Sequence, residues 1–306
     1  MRSALQALRA GHVFDGSDVH GPAMVLVEDG VVHDVDYTGA APPEHADVTD
    51  FGPDSRLLPG LIDAHVHLCW DGSGDAVAHV TEDHRETVLE TARASAATTL
   101  STGVTTVRDL GDRGYLTLEL RERVPPAERP DIVAAGPPIT TRGGHCHFLG
   151  GEAEGLDALP AAVWERAARG CDVVKVMAGG GEMTPGSSAL DQQYEQSELR
   201  LVVDEAHRLG LRTAAHAHSA ESIADAVDAG FDTIEHFSFL TPEGVDLRQD
   251  VLDEVVRRGT PSPRSSPRVS GSFPGPTPAV LGSSPIDTVS AVTDISAVYR
   301  AGHRVR

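Results

Sequence analysis

Cysteine is scarce in this chain of 306 residues: Cys69, Cys146 and Cys171 are odd in number, far apart and not in CxxC spacing. That fits reduced thiols in a cytoplasm better than a disulfide framework. Aromatic residues are few as well, and four Tyr, two Trp and seven Phe offer no stacking surface for nucleic acid or glycans. Positive charge is short, with 25 basic residues against 46 acidic ones and a formal net charge of -21. Like-charge repulsion opposes nucleic acid or an anionic membrane as partner, and a soluble protein is expected. No apolar run approaches the roughly 20 residues that a membrane span needs. The opening MRSALQALRAGHVFDG has no apolar core followed by a small-residue cleavage site, so no secretory signal is read and a cytoplasmic location is expected.

What the chain does have is histidine at the ends of apolar runs. Residues 57–68 read LLPGLIDAHVHL. In an extended strand alternate side chains share a face, about 6.6 Å apart, so His65 and His67 can converge on one ion. LRTAAHAHSA repeats the pattern with His216 and His218, TIEHF supplies His236, and CDVVKVMAGGG carries Lys175. A lysine inside so apolar a strand is buried whichever way it points unless it snorkels from the strand end, and an unpaired buried ammonium is costly. The loop GPPITTRGGHCHFLGGEAEG adds His145 and His147, read either as hydrogen-bonding a substrate carboxylate or carbonyl or as part of a mobile surface loop. Arg108 and Asp109 follow a strand-like run, where they shape the pocket or form a structural salt bridge. The remaining histidines, such as His12, His33, His84 and His207, lie in polar surroundings and are read as surface.

Residues 1–56 pair β-rich runs with turn signals such as Asp-Gly, the pattern of a small β-sheet domain. Strands are then expected at 57–66, 103–110, 131–136, 172–178, 211–218 and 231–237, with helices at 82–101, 159–169, 195–209, 219–229 and 245–258. Near-continuously apolar strands alternating with helices mark a parallel sheet covered on both faces. Between Thr260 and Pro285 there are seven Pro, seven Ser and three Gly, which predicts an irregular, flexible segment. Residues 286–306 look β-like again and are expected to return to the small domain. A shifted reading frame or an internal deletion would produce such a joint.

PGLIDAHVHL resembles the first barrel strand of the amidohydrolase superfamily, the metal-dependent hydrolases built on a (β/α)8 TIM barrel. GPPITTRGGHCHFLGGEAEG, VKVMAGGGEMTPG and VDEAHRLG resemble its imidazolonepropionase-related subgroup, which includes Xaa-Pro dipeptidases and carboxypeptidases. The resemblance extends to about residue 260 and implies an α/β barrel, here incomplete at about six βα units over 57–259. It implies metal ligands at His65, His67, Lys175, His216 and His236, with Lys175 carboxylated by CO2 to bridge one or two divalent ions, zinc fitting the donor set. It leaves His218 facing substrate. The activity implied is hydrolysis of an amide C–N bond, dipeptide-like or otherwise, by a metal-bound hydroxide. An aspartate on the eighth strand shuttles the proton in the family, and no segment matches it. Asp287 and Asp294 fall in the closing piece and are not convincing substitutes. The alternative is therefore a catalytically impaired, metal-binding remnant. The open edges of such a barrel invite pairing with another chain, which admits a homo-oligomer.

Overall fold

The computed structural model describes residues 5–259, 278–281, 295–300 and 303–305. The chain begins with β1 (Leu5–Ala10), β2 (His12–Phe14), β3 (Val19–His20), β4 (Ala23–Glu28), β5 (Val31–Asp36), β6 (Asp47–Asp50) and β7 (Arg56–Pro59). Four of these form a sheet in the order β5-β4-β1-β6. Its β4–β5 hairpin turns at Asp29-Gly30, with φ of 51° and 78°, the left-handed pair that an Asp-Gly turn adopts. Alternate residues of these strands, Leu8, Ala10, Val25 and Val27 among them, meet Val13 and Leu57 in a small core.

The barrel region carries β8 (Leu61–Val66), α1 (Ala76–Glu82), α2 (Arg85–Ser101), β9 (Val104–Asp109), α3 (Leu116–Arg123), β10 (Asp131–Ala134) and α4 (Gly155–Arg169). It continues through β11 (Val173–Met177), α5 (Gln196–Arg208), β12 (Arg212–Ser219), α6 (Ala220–Ala229), β13 (Thr233–Thr241), β14 (Gly244–Val245) and α7 (Gln249–Arg258). β8, β9 and β10 pair in parallel, as do β11, β12 and β13. Ile139 joins the two groups: its N–H donates to the Lys175 carbonyl and its own carbonyl accepts from Met177 N–H, both at 2.8 Å. Strand follows helix because helix faces of period 3.6 cover strands with no polar face. In α5 the buried side chains Leu199, Val202, Val203 and Ala206 make one stripe, and a Glu195/Glu198 capping box starts the helix. In β11 every residue is buried.

Several boundaries differ from the sequence expectation, each for a local reason. The strand expected at 57–66 is two strands, and the first, β7, pairs with β2 and β15 rather than with β9. The break is Gly60, where a Cβ would stand 2.1 Å from the Thr105 hydroxyl oxygen. Gly60→Ala is expected to cost about 1–3 kcal/mol through this overpacking, read from the urea midpoint. An unchanged midpoint would refute the close approach. The helix expected over 82–101 is α1 and α2, parted at Asp83 and His84, and α7 starts later than 245 because β14 folds back antiparallel on β13.

The irregular segment also needs correcting. Within 260–285 lies β15 (Pro278–Leu281), antiparallel to β7, and it pairs onward with β16 (Ile295–Arg300), which pairs with β17 (His303–Arg304). Pro278 stands first in its strand, where a missing N–H is tolerated, and pairing with a sequence-distant edge supplies what local composition does not. The remaining calls on 260–285, and Asp287 and Asp294, lie outside the described residues. Ala297 and Tyr299 of β16 enter the small-domain core. Among the described residues β8 has no neighbour on its second edge, and its Ile62 is 57% exposed. No described helix is long and apolar enough to cross a membrane.

Candidate metal centre

Each candidate side chain reaches one end of the barrel by a distinct local device. His65 lies in β8 and His67 just beyond it. The turn that follows is tied down by Asp109, whose carboxylate accepts Leu68 N–H at 2.8 Å and Gly111 N–H at 3.1 Å. His67 Nδ1 donates to the Gly111 carbonyl at 2.9 Å, so the lone pair is left on Nε2. His65 Nδ1 meets Glu235 Oε2 at 2.9 Å, again leaving Nε2 free. On β12, His216 Nε2 donates to the Gly180 carbonyl at 3.0 Å, which leaves its lone pair on Nδ1. His218 Nδ1 lies 3.0 Å from Ser238 Oγ, a partner that can donate or accept.

His236 needs a backbone reversal. Its neighbour Glu235 points into the barrel, so strict alternation would turn His236 out toward the helices. A left-handed φ of 65° at His236 breaks the alternation, at a cost of about 1–2 kcal/mol for a residue with a Cβ. The ring then lies 4.6 Å from that of His216, 4.4 Å from His218 and 5.2 Å from His65. His65 and His67 are 5.3 Å apart, and His145 lies 4.6 Å from His216. Six imidazoles therefore form one continuous cluster. Ligand atoms of His216, His218 and His236 lie within 4.8 Å of one another, so His218, expected to face substrate, also belongs to a trio able to hold a cation.

The loop histidines part company. His145 is buried, with Nδ1 3.2 Å from Thr184 Oγ1, and only a glycine fits at 181, where a Cβ would approach its ring to 2.6 Å. His147 instead donates Nδ1 to the Gly144 carbonyl in its own loop and packs on Phe148. Trp70 stacks on His67 at 5.2 Å and forms an aromatic wall with Phe148.

Lys175 is 1% exposed, and its Nζ is buried with no hydrogen-bond partner among the described residues. Burial, with help from Arg108 and against Glu235, pushes its pKa down to about 8. Burial first, and the Lys175 charge in addition, keep the cluster rings neutral: His67 falls to about 3, His145 to about 4, and His216 well below the usual range. Burial would raise the Glu235 carboxyl, but the His65 hydrogen bond and the charges of Lys175 and Arg108 override it and hold it at about 2. Neutral imidazoles with oriented lone pairs are what a divalent ion takes. A buried ammonium without a hydrogen-bond partner is costly beside them. The histidines present thus fit a metal centre.

Sequence reasoning missed Glu235 and misread part of the pair beside it. Arg108 makes its ion pair with Glu235 at 2.8 Å, whereas Asp109 serves backbone N–H groups. The available signal was an arginine and a glutamate in two apolar strands, each of which needs a buried partner. His207 pairs with Asp232 on the surface, and His33 and His84 are exposed as expected, but His12 is half-buried with its Nδ1 out of contact with solvent.

The chain is 30% identical over 204 residues to an uncharacterized protein of Mycobacterium tuberculosis, covering 67% of this chain and 49% of that one. It is 26% identical over 223 residues to the ochratoxinase of Aspergillus niger, covering 63% and 46%. The chain thus spans about half the length of the curated relatives it matches. In structure it is similar to a Xaa-Pro dipeptidase with bound methionine, at a TM-score of 0.83 and 22% identity over 98% of this chain and 99% of the other. A. niger ochratoxinase superposes with a TM-score of 0.80 at 17% identity, covering 100% and 96%. At such identities the superpositions speak to an α/β amidohydrolase-type fold alone. Residues 56–260, from β7 to just past α7, match the Amidohydrolase family, and the chain belongs to it.

Proposed function

We propose that this chain is a metal-dependent hydrolase of an amide C–N bond in a dipeptide-like or N-acyl amino acid substrate. The observation that carries the reading is the cluster of six neutral imidazoles, each reached by the charge of a Lys175 whose buried Nζ has no hydrogen-bond partner among the described residues. The family is generally metal-dependent, and the histidine trio could bind an ion. His65, His67, His216 and His236 supply nitrogen ligands. Lys175 in its neutral amine form adds to CO2, losing a proton, and the resulting carbamate supplies anionic oxygens to one or two ions. A divalent ion such as zinc would acidify a water and polarise the scissile carbonyl. His145, His147 and His218 contact the substrate, and the Trp70–Phe148 wall shields one side from water. The substrate is a small molecule, neither nucleic acid nor membrane, and the chain works in the cytoplasm, alone or as a homo-oligomer. Xaa-Pro dipeptidase by its name cleaves a dipeptide, which agrees with this class.

A second reading rests on the proton. The carboxylate that hydrogen-bonds a cluster histidine is Glu235, and Arg108 already holds it as an acceptor. Without a shuttle the rate falls by about 10²–10⁴, which describes an impaired remnant that still binds metal. Zinc-loaded protein assayed on dipeptides and N-acyl amino acids separates the two. Turnover lost on chelation and in His65→Ala is the expected result. Bound zinc with no turnover would select the remnant, and neither zinc nor turnover would overturn both.

A further inference from the structure

We infer that Glu235 is a positioning residue, orienting His65 for metal through a chain of contacts from Arg108 to Glu235 to His65. The inference rests on the metal-centre reading proposed above and adds a residue to it. The Glu235 side chain is fully buried and spans the barrel interior from β13. Its Oε2 lies 2.9 Å from His65 Nδ1 on β8, and its Oε1 lies 2.8 Å from Arg108 Nη2 on β9. Thr233 Oγ1 donates to the same Oε1 at 3.0 Å and accepts from Arg108 Nη1 at 3.1 Å. Arg108 Nε donates to the Ala64 carbonyl at 2.7 Å, one residue before His65. Arg108 and the Glu235 carboxylate each have a fixed role. Arginine only donates and an ionised carboxylate only accepts, so Glu235 must receive the Nδ1 proton of His65. The His65 lone pair is then confined to Nε2, the nitrogen left for a ligand role.

An ion pair that merely stabilised the barrel would need Arg108 and one carboxylate oxygen. Here the second oxygen is spent on the ring, and Arg108 is itself latched to the His65 strand. Glu235→Gln inverts the chain: Arg108 draws the amide oxygen, the amide N–H₂ turns to His65, and the ring proton shifts to Nε2. Arg108→Met/Glu235→Leu removes both charges together and leaves no acceptor, which protects folding from an unpaired arginine.

The test uses the full chain in two states. Nitrogen-15 spectra of the metal-free protein read the His65 tautomer, and competition with a chromogenic chelator reads zinc affinity. The parent is expected to show the Nδ1–H form, Glu235→Gln the Nε2–H form, and the double variant a mixture. Both variants are expected to bind zinc about 10–100-fold more weakly. A folded double variant with the parent's tautomer and zinc affinity would overturn the inference. If the parent itself binds no zinc, the metal-centre reading fails, while the tautomer spectra still decide the role of Glu235: an unchanged tautomer in both variants ends it.

Discussion

Replacing Lys175 by methionine is expected to make the metal-free chain more stable and, in the same step, to remove zinc-dependent hydrolysis. The two effects have one cause. Nζ is buried with no hydrogen-bond partner among the described residues, and burial, only partly offset by the Glu235 charge, lowers its pKa from 10.5 to about 8. At about 1.4 kcal/mol for each tenfold change in proton affinity, the charged form costs the native state about 3 kcal/mol. The sign follows from linkage. The folded pKa is depressed, so between pH 8 and 10.5 the unfolded chain binds more protons and stability rises with pH. Below pH 8 the penalty is complete, and Lys175→Met, close in length and apolar, escapes it. Urea unfolding in CO2-free buffer at pH 7 and pH 9.5 reads this directly. The parent gains stability between the two conditions and the variant does not. Equal slopes, or a variant less stable than the parent at pH 7, would show that the ammonium has found a partner. Lys175 is the single lysine of the chain, against 24 arginines, so a side-chain carbamate signal from ¹³C-bicarbonate has one possible origin and must vanish in the variant.

Lysine and histidine were legible because a parallel strand has a simple grammar. With both faces buried, any polar residue in such a strand is an exception; HVH and AHAH give exceptions spaced by two, and the K of DVVKVM stands alone. The strand-helix alternation was legible for the same reason. What was not legible depends on pairing between distant segments. His216 registers with Glu235 across β12 and β13, and the Glu235 carboxylate then meets residues of β8 and β9 some 127 to 170 positions away. No local pattern contains that meeting. The inward turn of His236 depends on a left-handed backbone that TIEHF does not announce, since neither neighbour is glycine. The strand at 278–281 sits in a stretch whose proline and serine content argues against it, and exists because β7 offers an edge.

His216→Ala is expected to weaken zinc binding more than 100-fold, since loss of an outer hydrogen-bond partner alone typically costs 10–100-fold, whereas His218→Ala is expected to keep zinc and lose substrate affinity. Distance alone does not distinguish the two rings, because both belong to the trio within 4.8 Å. Their partners do. His216 is 5% exposed and donates Nε2–H to a carbonyl, which can only accept, so its lone pair stays on Nδ1. His218 faces a serine hydroxyl that can rotate between donor and acceptor, so its ring can change tautomer at little cost. A ligand must keep its lone pair on the metal, and a group that meets substrate gains from being able to give or take a proton. Parallel chelator competition and steady-state assays on the two variants decide the matter. Equal loss of zinc in both would make His218 a ligand and move the ion toward the trio, away from His65 and His67. Retained zinc in His216→Ala would remove the central donor from the proposed site, and with it the coordination on which the hydrolase reading depends.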